Sequence, residues 1–117
     1  MPLEEEQIRA LFLAQLSQNE LDRAVLYLSS ALVAQGPLTI SPLPIQVPWP
    51  AYLAFVDREP SANWGHSARF ILLNPETREI LSIESRFPPF RGNETLRWRT
   101  IYKAASAPDW AVVAPND

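Results

Sequence analysis

The chain has 117 residues, of which 47% are hydrophobic and 20% charged, and this balance predicts a folded globular protein of one domain. Its net charge of −3 argues against non-specific binding to duplex nucleic acid, which needs a basic face. It has no cysteine, which excludes disulfides, thiolate nucleophiles and Cys-ligated metal centres. The acidic start, Glu4-Glu5-Glu6, differs from a signal peptide, and no apolar run has the length of a membrane span. We therefore expect a soluble, cytoplasmic protein.

Residues 1–36 have a helical pattern. Their apolar residues recur at helical spacing in two sets, Ile8, Leu11, Phe12 and Leu16, and then Leu21, Val25, Leu28 and Leu32. The two sets lie on different sides of one straight helix, so we predict two helices, 3–16 and 20–34, the second capped by Asn19. A single kinked helix is the alternative. Gly36 and Pro37 end the helical layer.

The rest of the chain has the pattern of strands. Residues 37–50 hold five of the twelve prolines, and we predict an extended connector there, with 45–47 as a candidate edge strand. Residues 51–113 are predicted to form an antiparallel sheet, with strands at 52–57, 68–74, 79–86 and 96–103, a turn at 74–78 and a candidate short strand at 110–113. Helices followed by strands predict an α+β fold, with one or two N-terminal helices packed on a sheet of about four strands, cystatin-like or similar.

The turn between the first two predicted strands carries the most varied chemistry in the chain. Asp57, Glu59 and His66 are the residue types of a metal site or of an acid–base pair. A catalytic zinc site normally has three protein ligands, commonly with several histidines, and this chain has one histidine. We therefore expect His66 to order the turn and Trp64 to cover the core, with contact to a partner as the functional alternative.

The segment 86–99 interleaves arginine with aromatic residues. Such a pattern is typical of a protein interface and of single-stranded nucleic-acid binding, and it also describes a strand with core aromatics and a solvated face. The acidic total favours a protein partner over nucleic acid. With no G-x-S-x-G, G-x-G-x-x-G or phosphate-loop motif, we predict no catalytic residue, metal or cofactor.

These patterns predict a non-catalytic accessory or regulatory domain that binds a partner protein, and they single out Trp64, His66, Arg69, Arg91 and Arg97 as its contact residues. A small enzyme or ligand-binding module, with a pocket between the helices and the sheet, is the rival hypothesis. The acidic amphipathic helices also make a homodimer a candidate assembly.

Four short segments resemble a region that precedes a caspase-like peptidase domain of the legumain family in certain bacterial proteins. They are Phe55-Val56-Asp57, Asn63-Trp64-Gly65-His66, Arg69-Phe70 and the turn Asn74–Glu79. Asp109-Trp110-Ala111-Val112-Val113 looks like the opening strand of such a peptidase, so the resemblance covers residues 52–113. It implies a prodomain or accessory module that packs against an enzyme. It implies no peptidase activity here, because the chain has no cysteine.

Overall fold

A computed structural model describes residues 4–29, 32–40, 43–59, 68–86 and 98–107. Its elements are α1 (Glu5–Leu13), α2 (Gln18–Arg23), β1 (Val25–Ser29), β2 (Gly36–Ile40), β3 (Leu43–Val47), β4 (Tyr52–Asp57), β5 (Ala68–Leu73), β6 (Ile80–Ser85) and β7 (Trp98–Lys103). The predicted α+β class, with two N-terminal helices and an antiparallel sheet, is confirmed. Neither helix of the described segments has the length and apolar character needed to cross a membrane.

The main sheet has five antiparallel strands in the order β6-β5-β4-β1-β7. The four strands predicted after residue 50 are all present, as β4 to β7, and their bounds differ from the prediction by two residues at most. The fifth strand is β1, which lies between β4 and β7. The candidate strand at 110–113 lies outside the described residues.

The predicted helix 20–34 is wrong, and so is the single kinked helix. Helix α2 ends at Arg23, and the chain continues as β1, in which all five residues are buried. A strand with a core on both faces has a continuous apolar run, and within such a run the spacing of Val25 and Leu28 matches a helix by coincidence. The helical layer therefore ends well before Gly36. The cap of α2 is Ser17, whose hydroxyl accepts the Glu20 N–H, and not Asn19.

The proline-rich segment predicted as an extended connector is a β-hairpin. Strands β2 and β3 pair antiparallel, from Gly36 opposite Val47 to Ile40 opposite Leu43. Pro37 and Pro44 fit here because each strand of an isolated two-stranded ribbon has an open edge, where a missing N–H breaks no ladder bond. Gly36 opens the hairpin with φ of +124°, a conformation that favours glycine.

The main sheet has a core on each face, so the fold has three layers. On one face the hairpin residues Ile45 and Val47 pack with a cluster from the sheet that includes Tyr27, Leu53, Phe55, Phe70, Leu72 and Trp98. On the other face α1 contributes Ile8 and Phe12 to a cluster with Leu26, Leu28, Ala54, Val56, Ile71 and Leu73. The prediction that helices cover the sheet is therefore correct for one face, and the hairpin covers the other.

Strand β7 contains a bulge that changes the predicted alternation. Tyr102 lies opposite Leu26 and Thr100 opposite Tyr27, so Ile101 is an extra residue in the ladder. The sequence pattern predicts Trp98, Thr100 and Tyr102 on one side. Trp98 is in the core beneath the hairpin, but the bulge moves Tyr102 to the face that the helices cover.

Candidate functional site

The register of the sheet shows where the two segments singled out by sequence are attached. Asp57, the last residue of β4, lies opposite Ala68, the first residue of β5, and Ala68 lies opposite Ser85, the last residue of β6. Residues 60–67 join β4 to β5, and residues 87–97 follow β6. Residues 60–67 and the start of the segment 87–97 are therefore attached to one row of three neighbouring strands, which are about 4.8 Å apart in such a sheet. The end of that segment is not, because Trp98, the first residue of β7, lies opposite Ser29 at the other end of the sheet.

A buried carboxylate lies beside this row. Glu20 is the third residue of α2, and its carboxylate accepts the Ser17 N–H at 2.9 Å, which completes a capping box. The same carboxylate accepts Arg58 Nε at 2.8 Å, and Arg69 Nε and Nη2 at 2.9 and 2.8 Å. Glu20 is only 5% exposed, so its charge is balanced by the two guanidinium groups rather than by water.

The network extends to the outer strand through the second carboxylate. Arg58 donates Nη1 and Nη2 to the two oxygens of Glu84 on β6, at 2.7 and 3.1 Å. Arg69 also donates to Ser82 Oγ at 3.0 Å and to the carbonyl oxygen of Gln15 at 2.8 Å. Glu20, Arg58, Arg69 and Glu84, which we call the Glu20 cluster, therefore join α2 to β5 and β6 and to the residue that follows β4.

The pKa shifts in the Glu20 cluster keep both carboxyl groups ionised. Burial acts to raise the pKa of Glu20, but the hydrogen bonds from Ser17, Arg58 and Arg69 outweigh it and the net pKa is lowered. The hydrogen bond from Arg58 lowers the pKa of Glu84, and in turn Glu84 raises the pKa of Arg58. The cluster is therefore a set of fixed ion pairs, suited to holding the chain in place rather than to proton transfer near neutral pH.

Of the five residues expected to contact a partner, the structure describes one. Arg69 uses its guanidinium within the Glu20 cluster, and its side chain is 12% exposed. The other four, Trp64, His66, Arg91 and Arg97, lie outside the described residues. The prediction that these five residues contact a partner therefore stays a prediction.

Of the three residues in the hypothesis of an acid–base or metal site, Asp57 and Glu59 are described. Asp57 is buried, and its Oδ1 accepts the Glu59 N–H at 3.1 Å, a local contact that shapes the start of the turn. Within the described segments, no group of three or more His, Cys, Asp or Glu side chains is placed to hold a metal ion. His66 lies outside those segments.

The sequence contains signals for the Glu20 cluster that the apolar periodicity does not reveal. Ser17-x-x-Glu20 is the signature of a capping box, and it identifies both the cap and the carboxylate. Arg69 stands in an otherwise apolar strand, where a buried guanidinium needs a carboxylate partner. The pairing of Arg69 with Glu20 spans 49 residues, so spacing alone does not show it.

Comparison with known proteins gives no family assignment. No family model, curated protein or solved structure matches the chain.

Proposed function

We propose that the protein is a non-catalytic binding domain that acts on a partner protein, and that it binds at the end of the sheet bearing the turn 60–67. The observation that carries this proposal is that both arms of the turn are tied to one carboxylate. Arg58 lies two residues before the turn and Arg69 two residues after it, and both donate to Glu20. The Glu20 cluster is therefore a clamp at the base of the turn.

A clamp of this kind has a clear benefit for binding. A loop whose arms are already held in place loses less conformational entropy when it meets a partner. The hydrogen bonds between charged groups in the clamp are stronger than those between neutral groups, and the cluster is largely buried on the Glu20 side. The entropy cost of ordering the ends of the turn therefore takes a smaller part of its binding free energy.

The side chains on the two attached segments suit a protein interface. Trp64 and His66 belong to the segment 60–67, and Arg91 belongs to the segment that follows β6. Arg97 directly precedes Trp98, which lies opposite Ser29 at the other end of the sheet. Tryptophan and arginine dominate the residues that carry most of the energy in protein interfaces. A planar guanidinium also favours carboxylate groups on the partner.

The partner we propose is an enzyme that the domain regulates or helps to assemble. The resemblance to the region before legumain-family peptidase domains supports this choice, since that region accompanies a peptidase. In this proposal the chain contributes contacts and no reacting group.

The test compares capture of a partner by the wild-type domain and by single variants. The test variants are Trp64→Ala and Arg91→Ala. The control is Glu76→Ala, an exposed position in the turn between β5 and β6, at the opposite end of the sheet. The captured protein is identified by mass spectrometry and purified, and its affinity is then measured by calorimetry.

We expect the wild-type domain and Glu76→Ala to bind equally. Trp64→Ala or Arg91→Ala should weaken binding by roughly ten-fold or more, the scale of an interface hot spot. Circular dichroism must show that each variant is folded. If both test variants are folded and bind as tightly as the wild type, the proposed surface is wrong.

A further inference from the structure

Strand β6 has an outer edge to which no described strand pairs. It is the first strand in the sheet order, and its ladder partner is β5, from Ala68 opposite Ser85 to Leu73 opposite Ile80. The Asn74 N–H donates to the Glu79 carbonyl at 2.9 Å, so the backbone of Glu79 faces β5. Along an antiparallel strand, the N–H and C=O groups of successive residues point alternately to one side and to the other. The backbone groups of Ile80, Ser82 and Glu84 therefore face outward, away from β5.

The middle of this edge lacks the protection that exposed edges usually carry. Glu79 and Glu84 flank the run Ile80-Leu81-Ser82-Ile83, which has no charge and no proline. Leu81 is 37% exposed, one of two large hydrophobic side chains in the described residues with this much exposure. An uncharged edge with an exposed leucine is suited to adding another strand.

We propose that the strand added is β6 of a second copy of this chain. Two antiparallel copies in one sheet are related by a twofold axis perpendicular to it, so residues that face each other share the same face. The register we assign places Leu81 opposite Leu81 of the second copy. It then places Ile80 opposite Ser82, with their outward N–H and C=O groups able to bond, and Arg78 opposite Glu84.

Side-chain charge and apolar contact favour this register over those with Ile80, Ser82 or Ile83 on the axis. With Ser82 on the axis, Arg78 would face Arg86, and like charges directly opposite each other are destabilising. With Ile80 on the axis Leu81 would face Glu79, and with Ile83 on the axis it would face Ser85, so in both it would lose its apolar contact. The register with Leu81 on the axis covers the exposed leucine, and it twice places Arg78 opposite Glu84, whose carboxylate also pairs with Arg58.

The first experiment measures mass against concentration by light scattering and sedimentation. Strand pairing of this length is a small interface, below the roughly 1,200 Å² of stable complexes, so association is expected only at high chain concentration. The wild-type mass should then rise from 13.2 kDa toward twice that value. Leu81→Lys should stay a monomer under the same conditions, because two lysines would meet at the axis. A wild-type chain that stays monomeric up to millimolar concentration overturns the proposal.

The second experiment tests the register by disulfide cross-linking of single-cysteine variants, which is possible because the chain has no native cysteine. Leu81→Cys, Ser82→Cys and Ile83→Cys are each oxidised and examined on non-reducing gels, with Glu76→Cys as an exposed control for random collisions. A disulfide needs Cα atoms within about 7 Å, which the proposed register gives only at position 81. We expect Leu81→Cys to cross-link several-fold more than the other three. Equal cross-linking at 76 and 81, or a maximum at 82 or 83, overturns the assigned register.

This inference is independent of the proposed function. The outer edge of β6 and the turn 60–67 are different surfaces, so Leu81→Lys should abolish self-association and leave partner capture unchanged. Trp64→Ala should have the reverse effect. The two proposals can therefore fail separately.

Discussion

Glu20 and Arg69 form a two-point ion pair, with Arg69 Nε and Nη2 at 2.9 and 2.8 Å from the two carboxylate oxygens. The pair joins α2 to β5, residues 49 apart in the sequence. Both side chains are largely buried, with 6% and 12% of their surfaces exposed. The geometry of this pair therefore fixes how the short helix lies against the sheet.

Glu20→Ala should be strongly destabilising, because it leaves two guanidinium groups without their buried acceptor. Removing one partner of such a pair typically costs about 3 kcal/mol or more in the free energy of unfolding. The matched control is Glu84→Ala, which removes the other acceptor of Arg58 from a side chain that is 70% exposed. An exposed pair contributes at most about 1 kcal/mol. Urea unfolding followed by tryptophan fluorescence measures both losses, and equal losses would contradict the structural role given to Glu20.

Stability should fall in acid because of the same cluster. Burial raises the pKa of Glu20, yet the bonds from Ser17, Arg58 and Arg69 hold it below the ordinary value of 4.5. The folded-state pKa of Glu20 is lower than its ordinary, unfolded-state pKa. The stabilisation is therefore fully present above the unfolded-state pKa and is lost as pH falls through the folded-state pKa. The pKa of Glu84 is also lowered, first by the hydrogen bond from Arg58, and adds to the effect.

The control for this pH dependence is Glu20→Gln, which keeps the side-chain shape and cannot ionise. The free energy of unfolding of both proteins is measured from neutral pH to about pH 3. We expect the advantage of the wild type to shrink steadily as the pH falls below 4.5. A gap that stays constant over this range would show that ionisation of Glu20 does not stabilise the fold.

The sequence predicts β4 to β6 well because their signals are local. Alternating or continuous β-favouring residues mark each strand, and Asn74-Pro75-Glu76-Thr77-Arg78 marks the turn between two of them. The same local signals fail at β1, where a strand buried on both faces has the apolar spacing of a helix. Only the ladders with β4 and β7, which are remote in sequence, decide between the two structures.

The candidate site is predicted less well for the same reason. Residues 60–67 stand out by their composition, but the Glu20 cluster depends on contacts across 38 and 49 residues. The bulge at Ile101 is a further case, since the alternation of β7 gives no sign of an extra residue. The pattern of residue types along the chain therefore does not show which residues remote in sequence pair with each other.

Tyr102→Phe should cost about 1 kcal/mol in the free energy of unfolding. The bulge brings the Tyr102 hydroxyl to the last turn of α2, where it donates to the Leu21 carbonyl oxygen, and Ser106 donates to the Asp22 carbonyl oxygen. These bonds satisfy carbonyl groups that the end of a helix leaves without partners. The control is Tyr52→Phe, a tyrosine on β4 packed against the same cluster. Thermal and urea unfolding of both variants give the comparison, and equal losses would argue against a specific bond at Tyr102.

Two substitutions in the turn between β5 and β6 should change the stability of the fold in opposite directions. Asn74 is buried, and its Oδ1 accepts the N–H groups of Glu76 and Thr77 at 2.9 and 3.2 Å, so Asn74→Ala should lower stability by about 1–2 kcal/mol. Arg78 has φ of +66°, a conformation that costs a non-glycine residue energy, so Arg78→Gly should raise stability by about 0.5–1 kcal/mol.

Both variants of this turn are measured by urea unfolding at low chain concentration, where the proposed self-association through β6 would contribute nothing. The two positions lie in the same turn, so a non-specific disruption of the turn would lower stability in both variants. Each variant is therefore a control for the other. A loss of stability in Arg78→Gly would mean that the flexibility glycine adds to the unfolded chain outweighs the relief of strain. In that case the positive φ of Arg78 would not be a source of strain that glycine can remove.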